Sequence, residues 1–393
     1  MSALARSWIL WRSLGLLALI AVCISTATPR IVTRLLNPTI SSGLPQPTSE
    51  TINFHSELSV ADLHADALLW DLDLLTHRSS GHIDIPRLEK GRVALESFTV
   101  VTKSPFGQNI RHTSADSDLI TLLTVVQAWP IRTWANLTER ALHQAKKLQR
   151  TADNSGGRLT LVQTRNELDD VLRRREEGDN TIGAILGIEG AHALEHDLTQ
   201  LERLYHAGFR SVGLTHFFDN EVGGSAHGLS KGGLTDFGMQ VVVRMEELGM
   251  AIDLAHASPS LVKDILRIAR RPVLVSHTGV KGTCDNERNI GDEALRGVAA
   301  TGGLVGIGLW PEAICGDTAA DWVQAVHYAA EIAGIDHVGL GSDWDGAVPT
   351  IVDASGTIYL VQALLDNGFE RDEVRKIMGN NAIRVFRQTL PAR

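Results

Sequence analysis

"LSVADLHAD", residues 58–66, is an apolar run that stops on a histidine and an aspartate two residues apart. Along a β-strand, residues i and i+2 point to one face. His64 and Asp66 at the end of such a strand therefore present an imidazole and a carboxylate to one point in space. That is half of a metal site. A single His-x-Asp reads more readily as a capping aspartate beside a buried histidine, so the other half must come from elsewhere in the chain.

Seven further runs of the same kind follow: "ALESFTVV" (94–101), "TIGAILGIEG" (181–190), "SVGLTH" (211–216), "MAIDLAHAS" (250–258), "PVLVSHT" (272–278), "GLVGIGLW" (303–310) and "HVGLGSDWDG" (337–346). They are short, continuously apolar and rich in β-branched residues, as strands buried on both faces are. Helical patterns lie between them. "HDLTQLERLYHAG" (196–208) and "DFGMQVVVRMEELG" (236–249) each end on glycine, and "SPSLVKDILRIAR" (258–270) opens with Ser258 as N-cap and Pro259 at the first helical position. Eight buried strands alternating with helices predict an α/β fold, a (β/α)₈ TIM barrel of the metal-dependent hydrolase type. An open doubly wound sheet is the alternative. No G-x-G-x-x-G follows the first strand, which argues against its dinucleotide-binding form.

The polar residues sit where the apolar runs stop: His64 and Asp66, Glu189, His216, His256, His277 and Asp343. In a barrel the carboxyl ends of all strands converge on one rim, where active sites lie. Any one of these residues alone reads as a satisfied rim residue. Six strands ending in metal-ligand chemistry do not. Histidines and carboxylates without thiolate suit Zn²⁺, with Mn²⁺ or Co²⁺ as alternatives. The set is too large for one open zinc site. It suits two metals about 3.5–4 Å apart that share a carboxylate and a hydroxide. The chemistry implied is hydrolysis of an amide, ester or similar bond.

The chain has 393 residues, 44% of them hydrophobic, and a net charge of −9. With no long basic run, nucleic acid is not an expected partner. Arg6 and Arg12 precede the apolar "SLGLLALIAVCISTAT", so residues 1–28 read as a signal peptide or an N-terminal membrane anchor. Either sends the rest out of the cytoplasm: to the periplasm, to the periplasmic face of an inner membrane, or into the medium. Residues 29–57, with Pro38, Pro45 and Pro47 among Ser and Thr, read as a linker, and 58–393 as the hydrolase barrel. Cys284 and Cys315 are the two cysteines after the leader. In an exported protein they close a disulfide or stay as two buried thiols.

Taken together, "DLHAD", "HIDIPRLEKG", "GIEGAH", "GLTHFFDN", "VSHTG", "RNIGDE", "GSDWDG" and "IMGNNAIRVF" resemble, in order and spacing, the membrane (renal-type) dipeptidases. These are zinc peptidases of family M19 within the amidohydrolase-like barrels, and the resemblance spans residues 58–388. It implies a dipeptide substrate and two zinc ions per chain. His64 and Asp66 would bind the first, Glu189 would bridge, and His256 and His277 would complete the second. His216 would act on the substrate carbonyl and its oxyanion. Arg288 would grip the terminal carboxylate, and Asp343 would shuttle the proton from the nucleophilic water to the leaving amine; loss of the neighbouring Asp345 is expected to cost turnover far less. Cys284 and Cys315 fall where the family places a disulfide. The resemblance admits a homodimer without fixing it. Residues 103–115 and 219–233 are not set by it and are expected to shape the pocket. Two other readings compete: another dinuclear amidohydrolase, such as a deacetylase or lactonase, and an exported binding protein without turnover. The second would need a ligand or the acid/base residue to be missing.

Overall fold

In the computed structural model, which describes residues 31–40 and 42–393, β1 (Val60–Ala65) and β2 (Val93–Val101) lie parallel, with Asp62 opposite Glu96. The chain then adds β3 (Leu159–Leu161), β4 (Ile182–Glu189), β5 (Phe209–Gly213), β6 (Ala251–Asp253), β7 (Leu274–Thr278), β8 (Leu304–Ile307) and β9 (Val338–Leu340). All pairings are parallel, in the order β2-β1-β9-β8-β7-β6-β5-β4, and β2 pairs with β4 to close the ring. The eight ring strands are the eight apolar runs of the sequence. β3 is an addition outside the ring, paired only with β4. Its three residues, "LTL", are too short to show as an apolar run. Every residue of β1, β2 and β4 is buried, because helices cover the outside and side chains fill the inside.

The helix after β6 starts where its capping residue places it. Ser258 accepts from the Leu261 N–H at 3.0 Å ahead of Pro259, and Gly249 ends its helix at φ +72°. The helix read from residue 196 begins only at Thr199. The C-terminal helix Asn381–Thr389 seals the amino ends of the strands. Its Phe386 packs in one cluster with Leu63, Leu95, Ile185, Leu274 and Leu304. Asn381 donates to the Val338 carbonyl at 2.9 Å, and Arg384 to the Gly302 carbonyl at 2.7 Å. With that end closed, the carboxyl rim is the one open to a substrate.

The linker expected over residues 29–57 is corrected in part. Residues 49–56 form a helix with Phe54 buried beneath the Arg371 and Arg375 guanidinium groups. His55 Nε2 meets Thr357 Oγ1 at 3.0 Å, and Thr39 and Ser42 bridge to Thr350 and Thr318. The prolines and hydroxyl residues suggested a free segment; the apolar face of the helix decides otherwise. The leader expected over residues 1–28 lies outside the described residues. Among those described, no helix is long and apolar enough to cross a membrane.

Candidate active site

The six strand ends meet. His64 and Asp66 leave β1 together, with Nε2 and Oδ2 3.4 Å apart. Glu189, the last residue of β4, turns Oε1 toward three imidazoles, at 3.0 Å from His256 Nε2, 3.3 Å from His277 Nε2 and 3.8 Å from His64 Nε2. Its Oε2 lies 3.1 Å from His216 Nε2, and Asp343 Oδ1 lies 3.9 Å from His64 Nε2. All seven side chains are buried.

The backbone is bent to bring them there. Gly190 follows Glu189 at φ +96°, and a Cβ on it would strike the His192 ring. His256 and Asp343 both sit in the left-handed region, at φ +62° and +61°. Such positions cost roughly 1–3 kcal/mol each and persist only where the surroundings impose them. The surroundings are visible. Ser342 donates its N–H and its hydroxyl to the Asp62 carboxylate, both at 2.7 Å, and so pins the exit of β9 to β1 just before Asp343. Thr99 donates to Asp66 Oδ1 at 2.7 Å, and Ser276 Oγ meets His277 Nδ1 at 2.9 Å.

The donor set fits a metal. Glu189 Oε1 makes no hydrogen bond although it is buried. Burial, reinforced by neighbouring cations, holds His256 and His277 well below the usual imidazole range, and burial does the same to His216. A neutral ring has one nitrogen lone pair that it can offer to a metal. His64 is the exception. Burial opposes its charge, yet Asp66, Glu189 and Asp343 together raise it to about 10. The carboxylates thus demand a cation at this point. Three overlapping groups could hold one: His64–Glu189–His277, Glu189–His216–His256 and His64–Asp66–Asp343. These groups place His216 and Asp343 as close to the carboxylates as the five residues expected to be ligands.

Arg288 is buried beside this cluster. Its Nη2 donates to the His277 carbonyl at 2.8 Å and lies 3.3 Å from His256 Nε2, with the guanidinium over the Trp310 ring. The loop that carries it is clamped. Cys284 and Cys315 form a disulfide, and Asn289 donates to the carbonyls of Cys284 and Ala313 at 2.8 and 2.9 Å. A cavity of about 720 Å³ opens behind His256 and Arg288, between the helices Pro259–Ile268 and Asp292–Ala300.

The sequence profile of the membrane dipeptidases, peptidase family M19, matches residues 49–392. The chain belongs to this family. A dipeptidase of Aspergillus oryzae, aclJ, is 28% identical over 316 residues, which are 78% of this chain and 69% of the relative. Several solved structures share the fold, among them these two. A metallopeptidase of Rhodobacter sphaeroides, liganded with a phosphinate mimic of the dipeptide L-Ala-D-Ala, is 22% identical with a TM-score of 0.70, over 84% of this chain and 99% of that one. The probable dipeptidase PvdM of Pseudomonas aeruginosa is 18% identical with a TM-score of 0.70, over 87% and 98%. As a membrane dipeptidase the protein is a metal-dependent hydrolase of dipeptide bonds. Neither competing reading gains support.

Within this membrane dipeptidase, several residues at the site escaped the sequence reading. Asp62 was absorbed into an apolar run. The signal was there, since it lies two residues before His64 and so on the same face of β1. Asp345, whose loss is expected to cost turnover far less than that of Asp343, is buried and accepts from Arg78 Nη2 at 2.8 Å and the His82 N–H at 2.6 Å. It holds the loop after β9 together. His227, in the loop 219–233, stands 3.1 Å from His256 Nδ1, and nothing local in "GGSAHGLSKGG" announces that contact.

Proposed function

We propose that this dipeptidase holds two zinc ions per chain. Glu189 would be shared by both, His64 and Asp66 would hold one, and His256 and His277 would hold the other. Bound zinc would supply a Lewis acid for the carbonyl and a water that ionises near neutral pH. The remaining steps belong to side chains. Arg288 receives the substrate's terminal carboxylate, a task that suits a planar guanidinium. His216 donates to the carbonyl oxygen as negative charge develops there. Asp343, buried with Oδ1 3.9 Å from His64 Nε2, stands where a carboxyl group can both take and return a proton. It takes the proton from the attacking water and gives it to the leaving amine as the C–N bond breaks.

The observation that carries this reading is the buried Arg288 within 3.3 Å of His256 Nε2. A buried guanidinium beside the metal-ligand candidates is a fixed cation where a substrate's free carboxylate can be received. Export to the periplasm, or anchoring on its face of the inner membrane through residues 1–28, is part of the proposal. The Cys284–Cys315 disulfide supports an oxidising compartment. The test is turnover of a panel of L,L and L,D dipeptides before and after chelation, alongside their N-acetyl and lactone counterparts. Dipeptide hydrolysis that chelation removes and zinc restores is expected. Turnover of lactones or N-acetyl substrates alone would overturn it.

A further inference from the structure

His227 is fully buried, and both of its ring nitrogens are engaged. Nδ1 lies 2.9 Å from the Ile110 carbonyl, and Nε2 lies 3.1 Å from His256 Nδ1. A carbonyl can only accept, so Nδ1 of His227 carries the proton. In a neutral ring Nε2 is then a lone pair, and His256 Nδ1 must donate to it. That leaves His256 Nε2 without a proton, and this is the nitrogen that faces Glu189 Oε1 at 3.0 Å. The position of each proton is thus dictated in sequence from a backbone carbonyl in the loop 103–115.

The same residue holds that loop by its main chain. The Thr113 N–H donates to the His227 carbonyl at 2.7 Å. The His227 N–H donates to Ser225 Oγ at 3.1 Å, Ser225 Oγ donates to the His216 carbonyl, and the Phe217 ring stacks on the His227 ring. A loop expected only to shape the pocket is therefore fastened to the residue behind His256.

We propose that His227 is a positioning residue: it fixes His256 in the tautomer that offers Nε2 to zinc, and it ties the order of loop 103–115 to metal occupancy. This rests on the reading of His256 as a zinc ligand. Groups that orient a metal-bound histidine through its other nitrogen typically contribute 10–100-fold in metal affinity.

The test compares the full-length wild type with His227→Phe and His227→Gln. Zinc affinity is read by chelator competition, and amide exchange over 103–115 is followed with and without zinc. In the folded Phe variant, one of two zinc ions should bind about 10–100-fold more weakly, and zinc should no longer slow exchange in the loop. The Gln variant, whose amide can accept from His256 and donate to Ile110, should recover most of the affinity. Wild-type zinc affinity in the folded Phe variant would overturn the proposal. Nitrogen-15 shifts of the wild-type histidines give a readout without any variant. A proton on His256 Nδ1 is expected, and one on Nε2 alone would refute the assignment. Failure of the wild type to bind a second zinc would instead strike the ligand reading itself.

Discussion

His256 Nε2 and His277 Nε2 face each other at 3.1 Å, and both stand against the same Glu189 oxygen, at 3.0 and 3.3 Å. The other nitrogen of each ring is taken, by His227 for His256 and by Ser276 for His277. Two imidazole nitrogens and a carboxylate oxygen within 3.3 Å of one another form a donor set that a cation would bind.

Purified protein should accordingly carry about two zinc ions per chain, and chelation should abolish activity. His256→Ala should lose at least one ion and keep its fold. His216→Ala should keep both, although His216 Nε2 lies 3.1 Å from Glu189 Oε2. Metal analysis with circular dichroism decides. One tightly bound ion in active wild type would sink the two-metal arrangement, and zinc loss in His216→Ala would make that residue a ligand.

Asp343→Asn keeps the shape and removes the proton carrier. General acid–base catalysis contributes about 10²–10⁴-fold, so kcat should fall by that order with zinc content near normal. Near-wild-type kcat would place the proton path elsewhere. Loss of zinc would make Asp343 a ligand first, in line with the group it forms with His64 and Asp66.

Arg288 predicts a pair of matched losses. A hydrogen bond to a charged group contributes about 1.5–3 kcal/mol. Amidating the substrate's carboxyl should cut kcat/KM by at least about tenfold, and Arg288→Met should do the same to the free dipeptide. Combined, the two changes should not add, since each removes one contact. Equal turnover of free and amidated dipeptides by wild type would rule out the role.

Asp345→Ala is expected to act on stability. It strips the partner from the buried Arg78 and from the His82 N–H. Breaking a buried pair on one side costs about 3–5 kcal/mol. Urea unfolding of the zinc-loaded enzyme should show a loss of that order. Unchanged stability would mean that Asp345 does not hold the loop after β9.

His55 predicts an acid sensitivity. Burial, with Arg92 adding, lowers it from 6.5 to about 4 in the folded chain. The unfolded chain therefore takes up the proton first. The stabilisation is whole above pH 6.5 and is lost as pH falls through the window down to 4. At pH 5 the loss is of order 1–2 kcal/mol. Urea unfolding of the zinc-loaded chain at pH 7 and pH 5 should show a drop that His55→Gln reduces by that amount. An unchanged drop would mean that the helix Ser49–Ser56 does not bury His55 in solution.

The alternation of buried runs and amphipathic stretches by itself narrowed the fold to a barrel or an open doubly wound sheet, and the residues that end those runs are the ones the closed ring gathers. Burial on both faces demands continuous apolar strands, and a parallel ring brings their carboxyl ends to one rim, so "LHAD", "GIEG" and "GSDW" could be placed together without coordinates. Residues whose role depends on a partner distant in sequence were not legible. Asp62 shows in sequence only that it shares a face of β1 with His64; its partner is unknown until Ser342 folds onto it. Asp345 looks like a spare acid until Arg78 reaches it. His227 has no periodicity to mark it, because its meaning lies in the Ile110 carbonyl on one side and His256 on the other. Hydrophobic burial is written in local pattern. Hydrogen-bond direction and the tautomers it imposes come from which atoms the closed ring sets 3 Å apart, and only the tertiary structure decides that.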